Sequence, residues 1–191
     1  VVLPDPNGLP YNNHGNFTSG FLPAKHQGTV IDASNAQPVR YLFPPKAAKH
    51  INSASEAASR EVLAKLNAQH MARTPGDSRL DARIRSLEMA ARMQASMPEL
   101  TDLSKEPKRT FELYGEEAKK PGSFANVALM ARRLAERNVR FIQVYHNNWD
   151  HHGNVNGRMP SQCRDVDRPC YALINDLKER GMFEDTLIIW G

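Results

Sequence analysis

Apolar residues recur at helical or strand spacing in several separate stretches of the chain, and each predicts an element. Ser53-Ala-Ser-Glu56 has the form of a capping box, with Ser53 as the cap and Glu56 reaching back. The helix it opens places Val62, Leu63 and Leu66 on one face and should run to about Ala72. Thr74-Pro-Gly-Asp77 breaks that helix, and Asp77 or Ser78 caps a second one. In the second, Leu80, Ile84, Leu87 and Ala91 recur at i, i+4, i+7 and i+11, and Pro98 limits it. The two predict an αα-hairpin over 53–97. Farther on, Ser123 is the expected N-cap of a helix with Phe124, Val127, Ala128, Ala131 and Leu134 on its buried face, closed by Asn138 as a left-handed C-cap.

Val139-Arg-Phe-Ile-Gln-Val-Tyr145 is apolar almost throughout and reads as a central strand. A long loop, His146 to Arg168, separates it from a helix over about Pro169–Arg180, with proline in its first turn and Gly181 past its end. Leu187–Trp190 reads as a second strand. Helix, strand, loop, helix, strand is a βαβ order, which favours a parallel sheet. The remaining stretches are irregular. Residues 1–52 are rich in Gly, Pro and Asn, with short strands expected near 28–31 and 39–43, and 99–122 are polar with one turn at Phe111–Tyr114. The expectation is a single α/β domain over 1–191: a loop-rich segment (1–52), a helical hairpin (53–97) and a helix-strand-loop-helix-strand core (123–191).

Composition narrows the class without changing that picture. Of 191 residues, 40% are apolar, 7% aromatic and 24% charged, which excludes collagen, a disulfide scaffold and a wholly disordered chain. No apolar run approaches the roughly 20 residues of a membrane span. The net charge of +4 is spread along the chain, so nucleic acid is not an expected partner. Arg132, Arg133, Arg137 and Arg140 form the densest basic group, with Glu136 among them, and helix geometry is expected to spread it around the axis. Met89, Met93 and Met97 recur at helical spacing as core residues rather than as a cofactor box. Cys163 and Cys170 form no CxxC pair; they are compatible with a local disulfide or with two free thiols. The chain has neither an initiator Met nor a signal leader, and it stops inside an apolar pattern, so it reads as an incomplete domain from a longer protein.

Chemistry concentrates directly after the first strand. His146, Asp150, His151 and His152 fall within seven residues, followed by Gly153, which lets the backbone turn. In open α/β sheets ligands bind beyond the carboxyl ends of strands, where this segment lies. A carboxylate and an imidazole two residues apart on a turning loop can converge on one divalent cation, and both suit zinc.

Several stretches together resemble the sulfatase-like family known as domain of unknown function 1501, near the alkaline phosphatase superfamily. They are Ser19-Gly-Phe-Leu-Pro-Ala-Lys-His-Gln-Gly28, Pro98-Glu-Leu-Thr-Asp-Leu-Ser104, Arg140-Phe-Ile-Gln-Val-Tyr-His146, Trp149-Asp150, His152-Gly-Asn154 and Asp176-Leu-Lys-Glu-Arg-Gly181. The resemblance implies an α/β fold, part of an alkaline-phosphatase-like sandwich with a mainly parallel sheet and the helical hairpin as an insertion. It implies a metal-dependent hydrolase of sulfate or phosphate esters, acting on a small anionic substrate and exported to the periplasm or surface of a bacterium. Asp150 and His152 match the family's Trp-Asp-x-His-Gly pattern and take the role of metal ligands, with His146 as a third. The metal is expected to be zinc, with manganese, calcium or magnesium as alternatives. Lys25 and His26 could bind the substrate's anionic group. Asn147-Asn148 departs from the glycine that often precedes the tryptophan, and no nucleophile of the superfamily type is identifiable, so this piece alone is expected to be inactive. The alternative is a non-catalytic structural or interaction module on a degenerate hydrolase scaffold.

Overall fold

The computed structural model describes residues 1–11, 13–18, 20–22, 26, 28–35, 38, 39, 48, 50–74, 84 and 97–191. Strand β1 (Val2–Leu3) pairs in parallel with β2 (Gln143–Val144), Val2 opposite Gln143 and Leu3 opposite Val144. On its other side Val2 forms a parallel bridge with Val30, so β1 is flanked twice and buried. The strand expected at 139–145 therefore exists in its second half, but its neighbour is β1. Residues 186–190 form no strand, and Leu187, Ile188, Ile189 and Trp190 are exposed. Three apolar residues at the chain start are too few to show a period, which is why β1 escapes a pattern-based reading.

Helix α1 (Ser53–Arg73) is capped one residue earlier than the spacing predicts. Asn52 Oδ1 accepts from the amides of Ala54 and Ser55, both at 3.1 Å, and Ser55 Oγ accepts from the Asn52 amide at 2.9 Å. An asparagine caps as well as a serine, and the reciprocal bond needs an acceptor at the third helical position, which Ser55 supplies. Val62, Leu63 and Leu66 do not face a core here; all three are exposed. The second helix of the expected hairpin falls almost wholly outside the described residues, as do Met89 and Met93, while Met97 is buried in the core.

Helix α2 (Lys108–Tyr114) contains the turn expected at Phe111–Tyr114. Helix α3 (Phe124–Glu136) is the centre of the structure. Ser123 Oγ accepts from the Asn126 amide at 3.0 Å, a cap that stabilises by about 1 kcal/mol. Asn138 takes φ 60° at the other end, as the left-handed C-cap requires. Residues 125–134 are all buried because the helix packs on two sides. Val127, Met130, Ala131 and Leu134 meet Leu3, Ile31, Met97 and Leu100 beside the strands. Ala125, Ala128 and Leu129 meet Leu103, Tyr114, Ala118 and Ala172 on the opposite side.

Helix α4 (Val155–Glu179) supplies Ala172 and begins fourteen residues before the expected Pro169 start, taking over half of the predicted long loop. Pro160 and Pro169 both lie inside it. An interior proline disfavours a helix by about 3 kcal/mol, and here the burial of Val166, Pro169, Ala172 and Leu177 offsets it. Cys163 and Cys170 sit on this helix as free thiols. Seven residues of helix separate their Cα atoms by about 10 Å, too far for a disulfide. Burial raises the Cys170 thiol above its ordinary value, with Asp167 adding to the effect.

The arginine group on α3 is not a basic surface. Arg132 is 2% exposed and meets three carboxylates: Glu106 at 2.5 Å, Glu136 at 2.6 Å and, from its Nε outside hydrogen-bond alignment, Asp176 at 3.0 Å. Arg133 reaches Glu106 at 2.7 Å and donates to the Glu99 carbonyl. Arg180 closes the network on Asp176 at 2.6 Å and on Glu136. Burial alone would lower the Arg132 pKa, but its bonds to Glu106 and the charges of Asp176 and Glu136 outweigh that and raise it. Tyr114 lies against Arg132 and Asp176, and its phenol is held far above its usual range, first by burial and then by the Asp176 charge.

Gly122 turns the chain into α3 with φ +80°, and a Cβ there would lie 2.8 Å from Ser34 Cβ and 3.0 Å from Pro6 Cγ. Gly122→Ala is expected to destabilise the protein by about 1–3 kcal/mol through backbone strain and this contact, read from urea unfolding.

Candidate functional site

Both strands end at one cleft. Its volume is about 510 Å³, and its walls include Asp5 and Asn7 after β1, Tyr145 and His146 after β2, Ser123 and Phe124 at the start of α3, and Arg164, Asp165 and Arg168 on α4. The carboxyl ends of parallel strands leave their following loops free to diverge, which is what opens a crevice there.

Asp5 is the residue that the sequence reading did not single out. It is 6% exposed and joins the two strand ends. Its Oδ1 accepts the Asn7 amide at 2.8 Å, and its Oδ2 accepts the Asn147 amide at 2.8 Å across 142 residues of chain. An aspartate between two prolines reads as an ordinary turn residue, and no local pattern shows so distant a partner.

His146 lies in the cleft wall, its side chain 13% exposed. Its ring stands edge-on to Phe124 at 5.2 Å and tilted against Trp149 at 5.6 Å. Nε2 faces Asp165 Oδ2 at 4.0 Å, and Nδ1 is buried with no hydrogen-bond partner among the described residues. The loop then turns through Asn148, at φ 65°, and carries Asp150 and His152 outward. His152 Nε2 and Asp150 Oδ2 stand 2.9 Å apart, at 90% and 81% side-chain exposure. The structure thus brings Asp150 and His152 together and places His146 separately, in the cleft wall. Among the described residues no group of three or more His, Cys, Asp or Glu is gathered to hold a metal ion. His151 occupies the variable position of the motif; its Nε2 is buried with no hydrogen-bond partner among the described residues. His26 is exposed, and Lys25 lies outside the described residues.

The 2.9 Å between His152 Nε2 and Asp150 Oδ2 is the distance of a hydrogen bond or ion pair between two exposed side chains.

Two short parallel strands thus open at their carboxyl ends onto a cleft that bears His146 and the carboxylates Asp5 and Asp165. A family model described as "Protein of unknown function (DUF1501)" matches residues 1–191, and the chain belongs to that family. No curated protein and no solved structure matches it. No helix among the described residues is long and apolar enough to cross a membrane.

Proposed function

We propose that this chain is part of a metal-dependent hydrolase of sulfate or phosphate esters, built on an alkaline-phosphatase-like α/β scaffold. The supporting observation is the Asp150–His152 pair, 2.9 Å apart on the loop that leaves the carboxyl end of β2. Asp150 and His152 would hold a divalent cation, zinc in the first instance, with further ligands from outside the described residues. When bound, such a cation supplies Lewis-acid polarisation of an ester oxygen. His146 contributes an imidazole in the cleft wall, with Asp165 across from Nε2. Its tilted contact with Trp149 and edge contact with Phe124 fix the ring's direction. Lys25 and His26 are proposed to receive the anionic group of the substrate.

The test compares nitrophenyl sulfate, nitrophenyl phosphate and nitrophenyl acetate as substrates of the full-length protein, since residues 1–191 alone are expected to be inactive. The reading predicts turnover of a sulfate or phosphate ester that a chelator removes and added zinc or manganese restores. Turnover indifferent to chelation, or confined to the acetate, would contradict it.

A further inference from the structure

The peptide units between His146 and Trp149 are gripped from two sides. From β1, Asp5 Oδ2 accepts the Asn147 amide at 2.8 Å. From α4, the Gln162 Nε2 amide donates to the Asn147 carbonyl at 3.0 Å and to the Asn148 carbonyl at 2.7 Å. One side-chain amide has two N–H groups, and here each finds its own carbonyl. Asp5 is in turn held by the Asn7 amide, so its direction is set within its own turn. Gly8 backs the same residue: a Cβ on Gly8 would lie 2.3 Å from Asn147 Nδ2. Asn148 occupies the left-handed region, an arrangement that asparagine tolerates better than most residues. Beyond the grip, Asp150 and His152 are exposed, so little packing is available to set their position.

We propose that Asp5 and Gln162 are positioning residues, a clamp on Asn147 and Asn148 that aims the His146–His152 loop. The metal consequence rests on the hydrolase reading above; the clamp itself does not. Groups that orient ligands from behind typically change metal affinity 10–100-fold when removed.

The experiment uses Gln162→Met, which removes both donors at nearly constant length, Asp5→Asn, which keeps the shape but replaces one acceptor, and Gln162→Lys, which restores a donor. Amide hydrogen exchange of residues 147–152 is read against α3 in the same samples, and zinc affinity is measured separately. Loop exchange should rise roughly tenfold in Gln162→Met and Asp5→Asn, with α3 unchanged and Gln162→Lys close to wild type. Zinc affinity should fall about 10–100-fold in the first two variants. Unchanged loop exchange in Gln162→Met and Asp5→Asn, or exchange in Gln162→Lys as fast as in Gln162→Met, would overturn the clamp. If the wild type takes up no zinc while loop exchange still rises in both variants, the clamp stands and the hydrolase reading falls.

Discussion

Arg132→Met is expected to destabilise the protein by about 3–5 kcal/mol, the usual effect of removing one partner from a buried ionic network. The substitution keeps most of the side-chain volume, so the loss comes from charge rather than from a cavity. Arg132 answers Glu106, Glu136 and Asp176 at once, and Glu106 and Asp176 are themselves about 7% exposed. Arg133 and Arg180 remain, but neither reaches all three carboxylates. With Arg132 gone, the carboxylates it answered stay buried with fewer positive partners. Guanidinium unfolding reads the loss. A loss below about 1 kcal/mol, of the size of an exposed ion pair, would show that the network is solvated.

The same network shows where sequence reading stops. The spacing of Arg132, Arg133 and Arg137 on a helix is visible, but whether that face meets water or carboxylates depends on Glu106 and Asp176, which arrive from other elements. Local signals fared better where local physics decides. Ser123 and Asn138 mark the ends of α3 because caps satisfy backbone groups within a turn, and both are where their chemistry places them. The α4 start was hidden because Gly157 and Pro160 disfavour a helix and Pro169 reads as a first-turn proline, while Val166, Pro169, Cys170, Leu173 and Leu177 carry a helical stripe that outweighs them. In the candidate site, the loop after β2 was legible from its histidines and its place at a strand end. Asp5 was not, since its role depends on a hydrogen bond to a residue 142 positions away. Likewise the exposure of Val62, Leu63 and Leu66 on α1 follows from what does or does not pack there, which periodicity alone cannot decide.

The second large effect is expected at Asp150. An aspartate supplies both a ligand oxygen and the negative charge that offsets a divalent cation, and alanine supplies neither. His152 alone would remain of a pair now 2.9 Å apart. Both side chains are exposed, so Asp150→Ala should leave the unfolding transition unchanged to within about 0.5 kcal/mol, as surface substitutions generally do. Loss of metal at constant stability therefore separates a ligand role from a structural one.

The most direct measurement is the zinc and manganese content and affinity of the protein and of its Asp150→Ala variant, by elemental analysis and titration calorimetry. The account predicts a bound cation in the wild type and loss of that site in the variant, with its fold intact. Equal metal content in the two proteins would remove Asp150 from the site and contradict the account.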